Sequence, residues 1–148
     1  MTEDEARKLG GRWLIKSEPK KYGWDDLVRE GETNWDGVRN AQAAIYLRAM
    51  RKGDQALFYH SVEGLAVVGI AQVVRESFPD PTDSSGRYVA VAVAPLRPLE
   101  HPVTLARMKS DPRLSGMAIF RQFRLSVAPV TAQEWEAVLE LTERGEGG

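Results

Sequence analysis

Residues 64–77, GLAVVGIAQVVRES, constrain the fold more than any other stretch of the 148-residue chain. Laid out as an extended strand, the run is apolar on both faces, so neither face suits water. It predicts a central, strongly curved strand, and Gly69 permits a bend or bulge within it. QALFYH (55–60) precedes it across a turn at Ser61–Gly64, which predicts an antiparallel pair.

Further strands read at about Trp13–Ser17, over YVAVAVAP (88–95) and over FRLSVAPV (123–130), with a brief extended piece at Asn34–Trp35. Helices fall between them. One starts near Trp24, with Asp25 and Asp26 in its first turn and Gly31 at its end. Asn40 is the N-cap expected for a second helix to about Met50, with Ala44, Leu47 and Met50 on one face. Thr104 caps a short helix ending before Pro112, and FPDPTDSSGR (78–87) reads as a loop. The last helix opens on a capping box, Thr131-x-x-Glu134, carries a stripe of Trp135, Val138, Leu139 and Thr142, and stops at Gly145. Five or six strands with short helices between them predict an α+β fold, a small mixed barrel. A parallel βαβ sheet is disfavoured, because these helices are short for regular crossovers.

The length suits one domain over residues 12–144, with residues 1–11 and 145–148 as loose ends. Without cysteine there is no disulfide or thiolate metal site, which is compatible with a reducing, cytoplasmic setting. No apolar run approaches the ~20 residues of a membrane span, so no membrane partner is expected. Net charge is −1, so any contact with nucleic acid must be made by a local patch. The sequence does not determine an oligomeric state.

Enzyme motifs are largely missing. There is no Gly-x-Gly-x-x-Gly, Walker loop or His-Glu-x-x-His, and two histidines give a multi-histidine metal site no material, so neither cofactor nor metal is expected. His60 and Ser61 are neighbours, which on a strand places them on opposite faces and spoils them as base and nucleophile. Asp25 and Asp26 suit a helix dipole better than acid–base chemistry. What remains is a set of polar residues at strand ends with aromatics close by: Lys16 and Ser17, then Trp35, Arg39 and Asn40, then Tyr59, His60 and Ser61. Arg124 and Ser126, flanking Leu125, complete the set and would share one face of the last strand. If these ends converge, they line a pocket with ring faces and hydrogen-bonding edges, suited to a planar base.

Seven strings carry a family resemblance: Lys16-Ser17-Glu18-Pro19, Trp35 to Asn40 (WDGVRN), Gly53-Asp54, Phe58 to Ser61 (FYHS), Asp80-Pro81, Arg124 to Val127 (RLSV) and Pro129-Val130. In this order they resemble the EVE domain family, over about Arg12 to Leu141. The resemblance implies a PUA-like pseudo-barrel, similar to the YTH domain that reads methylated adenine in RNA. It also implies recognition of a modified base, flipped out of DNA or RNA, with no catalytic activity established for the family. By the same resemblance Lys16 and Ser17 lie at the mouth of the base pocket, and Pro19 steers the chain out of the sheet. Trp35 is the stacking ring, Val38, Arg39 and Asn40 meet a base edge or phosphate, and His60 and Ser61 line or support the pocket. Tyr88, Arg124 and Ser126 finish its walls, and Lys20, Lys21 and Arg48 form a phosphate rim.

Three departures bear on the ligand. Ala41 to Ile45 (AQAAI) stands where the family commonly has Tyr-Gln-Ala-Arg-Asn, with Arg48 the nearest replacement charge. Tyr88 is the only aromatic where the family brings tryptophans, and Val91-Ala92-Val93 lacks an aspartate often found there. Two other readings compete: an enzyme on a nucleotide or small heterocycle with His60 as general base, and an interaction domain with no nucleic-acid role.

Overall fold

The computed structural model describes residues 1–122 and 124–145. In chain order the elements are α1 (Glu3–Arg7), β1 (Arg12–Ser17), α2 (Trp24–Glu30), β2 (Thr33–Trp35), α3 (Ala41–Ala49), β3 (Gln55–His60), β4 (Ala66–Pro79), β5 (Val89–Thr104), α4 (Leu105–Ser110), α5 (Ala118–Arg121), β6 (Val127–Pro129) and α6 (Ala132–Arg144). The strands form one mixed sheet in the order β2-β5-β4-β3-β1-β6, curled into a half-barrel with the short helices around it. This is the α+β, PUA-like architecture expected from the sequence.

β4 is central, antiparallel to β3 on one side and to β5 on the other. The ladder to β3 shifts register between Phe58 and Tyr59, opposite Gly69 and Val67, so the bulge lies beside the glycine. A methyl group on Gly69 would sit 2.6 Å from the Trp24 ring. Glycine there lets α2 lay Trp24 directly on the sheet, edge-to-face with Phe58 at 5.5 Å. The pairing of β4 with β5 shifts four times, which bends the long hairpin. β5 runs well past the expected YVAVAVAP: Pro95 and Pro98 stand beside two of these shifts, where ladder hydrogen bonds are already interrupted.

The caps follow the sequence. Asn40 accepts from the Ala43 N–H, Thr104 from Arg107 and Thr131 from Glu134, while Gly31 ends α2 in the left-handed region at φ 78°. α6 is tied to β5 through Thr142, whose hydroxyl donates to the His101 carbonyl at 2.7 Å and accepts from its N–H at 3.0 Å.

Two local expectations are corrected. Residues 3–7 are not a loose end: Thr2 and Glu5 form a capping box, Ala6 is fully buried, and α1 packs on α3. The last strand is only Val127–Pro129, with Arg124 in a turn and Ser126 in a bend before it, and Phe123 lies outside the described residues. Of the flexible terminus expected over 145–148, Gly145 caps α6 and residues 146–148 lie outside the described residues.

Candidate functional site

β1 and β3 run parallel, with Lys16 opposite Tyr59 and Ser17 opposite His60, so both strands deliver their C-terminal ends to the same edge of the core. β6 is antiparallel to β1 and brings residues 124–126 to that edge from the other side; the Lys16 N–H donates to the Ser126 carbonyl at 2.9 Å. The Ser61 N–H donates to the Ser17 carbonyl at 2.9 Å. β1 is buried through Ile15 and turns polar where it leaves the core, at the convergence of three chain segments.

Two adjoining cavities open there. The first, about 490 Å³, is lined by Lys16, Ser17, Trp35, Val38, Arg39, Asn40, Arg124 and Ser126, all expected from the sequence. Tyr22, Thr33, Asn34, Asp36 and Gly37 complete it. The second, about 630 Å³, shares Lys16, Ser17, Arg124 and Ser126 with the first and adds Tyr59 and Ser61, with apolar walls that include Val62, Leu65, Leu105 and Phe120. Both volumes fall within the range of about 300–1,000 Å³ usual for small-molecule sites. Arg124 and Ser126 do not share a strand face, contrary to the sequence reading. Arg124 is in a turn and Ser126 in a bend before β6, and the turn carries them to the ridge between the cavities.

Trp35 is 8% exposed and belongs to both core and cavity wall. It meets Tyr22 edge-to-face at 6.3 Å and Phe58 at 5.5 Å. The Tyr22 hydroxyl is buried and has no well-formed hydrogen bond among the described residues. Ser17 donates its hydroxyl to the Tyr22 carbonyl at 2.5 Å, which pins the 18–22 turn over the strand end. Lys16 is half-buried, and burial lowers its pKa.

One side of the first cavity hangs on Asp80, which the sequence reading placed in a family string but gave no role. Asp80 is 2% exposed. Its Oδ2 accepts from the Gly37 N–H at 2.8 Å and from Arg39 Nη1 at 3.0 Å. Its Oδ1 accepts from the Thr82 N–H at 2.7 Å and from Thr82 Oγ1 at 2.6 Å. Burial alone would raise the carboxyl pKa; the hydrogen bonds from Thr82, Gly37 and Arg39 outweigh it and hold the group at about 2. Arg39 also stacks on Tyr88, its guanidinium carbon 5.0 Å from the ring centroid. Tyr88 therefore braces Arg39 and lines neither cavity, so it is no wall of the pocket.

A family model for the EVE domain matches residues 11–141. The chain belongs to the EVE domain family. Human thymocyte nuclear protein 1 is 32% identical, over 97% of this chain and 79% of that protein. The NMR structure of Rpa0253 from Rhodopseudomonas palustris superimposes with a TM-score of 0.86 at 48% identity, covering 90% of this chain and 94% of that one. Human THYN1 protein, in a crystal structure with 5-methylcytosine-containing DNA, superimposes with a TM-score of 0.81 at 32% identity, covering 89% and 97%.

Within this EVE domain the remaining expected residues lie outside the two cavities. His60 accepts the Trp24 N–H on Nε2 at 3.1 Å, beside the Phe58 ring, and burial pushes its pKa down. The lone pair a general base would use is thus already engaged at the start of α2. Lys20 and Lys21 are exposed and paired with Glu63 and Glu18, at 3.0 Å and 3.3 Å. Arg48 does not replace the missing family arginine at the pocket: it faces α1, 4.0 Å from Glu3. Ala43 and Ala44, in the departing segment, are buried. No group of three or more metal-ligating side chains occurs among the described residues, and no described helix is long and apolar enough to cross a membrane.

Proposed function

We propose that this chain binds DNA carrying a modified base and takes that base, rotated out of the strand, into the first cavity. The observation that carries the reading is the gathering of Lys16, Ser17, Trp35, Arg39, Asn40 and Arg124 around one cavity of about 490 Å³. The likeness to a human protein that forms a complex with 5-methylcytosine-containing DNA supports the choice of DNA and makes that base the leading ligand. Trp35 supplies the aromatic wall. Asn40 spends its side-chain oxygen on the α3 cap, which leaves its amide donors for a base edge or a phosphate. Lys16 and Arg124 provide positive charge at the opening. With Arg39 paired to Asp80, Lys16 and Arg124 stand against the carboxylate of Asp36 around the cavity, so a chain of net charge −1 still presents a small local excess of positive charge.

The test is fluorescence anisotropy with single strands carrying one 5-methylcytosine, 5-hydroxymethylcytosine, unmodified cytosine or N6-methyladenine, in DNA and in RNA. Trp35→Phe serves as control, with thermal melting to verify its fold. Tighter binding to the 5-methylcytosine DNA strand, weakened in the variant, is expected. Equal binding to every strand, indifferent to Trp35, would overturn the proposal and favour an interaction domain.

A further inference from the structure

The proposed function leaves the second cavity without an occupant, yet it is the larger of the two and opens across the ridge formed by Lys16, Ser17, Arg124 and Ser126. Two cations stand on that ridge. Beyond it the walls are mainly apolar and aromatic, with Tyr59, Leu105, Ile119 and Phe120 and with Leu65 39% exposed at the mouth, while Glu18 and Lys109 add one charge of each sign. Val62, also in the lining, has φ 71°, the one non-glycine residue with positive φ among the described residues, and is 70% exposed. A β-branched side chain in the left-handed region is strained, and strain of this kind gathers at sites that hold ligands. A cation-bearing ridge with a cavity on either side, the first polar with an aromatic wall and the second mainly apolar, matches the alternation of phosphate and base along one strand.

We propose that the second cavity receives the nucleobase next to the modified one, with the phosphate joining the two held by Lys16 and Arg124. The domain then reads a dinucleotide step, and because only one side of the first cavity borders the second, it reads the neighbour on one side only. The apolar walls cover the face of any base, so this neighbour contributes affinity with little sequence preference. The inference rests on the first cavity holding the modified base.

The experiment measures binding of single-stranded T-X-T trinucleotides, with X the modified base selected by the strand panel, 5-methylcytosine in the expected case. Either flanking thymine is replaced in turn by an abasic tetrahydrofuran residue, which keeps the phosphate and removes the base. Stacking of one base is worth on the order of a five- to hundredfold change in affinity. We expect an abasic residue on one side to weaken binding about tenfold and on the other less than about twofold. Leu65→Gln, at an exposed position unlike a core site, should bring affinity for the intact strand down to that for the weaker abasic strand. Abasic replacements harmless on both sides, with the preference for X retained, would overturn the second site and leave the first. Loss of all preference for X over its unmodified parent would overturn both.

Discussion

Replacing Asp80 by asparagine is the sharpest test of how the first cavity is held open. Each Asp80 oxygen serves two donors: Gly37 N–H and Arg39 on one, Thr82 N–H and hydroxyl on the other. The asparagine amide must therefore turn its NH₂ toward one of these pairs, whichever way it flips. At least one backbone N–H loses its acceptor, and Arg39 loses its counter-charge. The carboxyl lies at about 2 against an ordinary 3.8, which corresponds to roughly 2–3 kcal/mol of stability at neutral pH. For a chain of this size that is a fall in Tm of about 5–10 °C. The folded-state pKa is depressed, so the contribution is complete well above pH 3.8 and is lost as pH falls toward about 2. Urea unfolding of wild type and Asp80→Asn at pH 7, 5, 4, 3 and 2.5 reads it directly: a gap of roughly 2–3 kcal/mol at pH 7 should close toward the acid end. A gap below about 0.5 kcal/mol at pH 7, or one that does not change with pH, would refute the reasoning.

Four further outcomes follow from the geometry. Gly69→Ala would place its methyl against the Trp24 ring at 2.6 Å and should destabilise by about 1–3 kcal/mol in urea unfolding, with a blue- or red-shifted tryptophan emission reporting the displaced ring. His60 is held below its ordinary pKa of 6.5 by burial, so stability should be level above that pH and decline below it; His60→Gln, which keeps an acceptor for the Trp24 N–H, should flatten that decline in melts between pH 5 and 8. Lys16→Met removes a half-buried charge whose ionised form burial disfavours, so Tm should rise slightly, while the slope of log affinity for a modified DNA strand against log salt should shrink by about 0.7. Lys20→Ala should leave that slope nearly as it was, because Lys20 is exposed and already paired with Glu63.

Where structure is local, the sequence exposed it. The Asn40, Thr104 and Thr131 caps, the Gly31 stop and the hairpin of β3 and β4 each depend on residues a few positions apart, and each was legible. The bend at Gly69 was legible as well, but its cause was not, since Trp24 lies 45 positions away. The cluster of polar strand ends was readable from residue type, and seven of those residues do meet at one cavity. Asp80 escaped because its partners Gly37 and Arg39 are more than forty residues distant, and FPDPTDSSGR carries only a loop's composition. Tyr88 and Arg48 were misplaced for the complementary reason. An aromatic and a cation near a site in sequence say nothing of which way they point, and here one braces Arg39 and the other faces α1.

The feature that decides the site is the parallel pairing of β1 with β3, two strands separated by 37 residues and by two helices and a strand. Had they paired antiparallel, as adjacent short strands more often do, Ser17 would face the Gln55 end and the polar tips would lie at opposite edges of the core. Parallel pairing stacks Lys16 against Tyr59 and Ser17 against His60 instead, and β6 then closes the third side. The same arrangement explains why Lys16 tolerates its position. A half-buried ammonium is unfavourable in the free protein, and at a strand end between two cavities a phosphate can relieve what a core carboxylate would otherwise neutralise. On the proposed reading, the stability given up there is what suits the strand end to an anion.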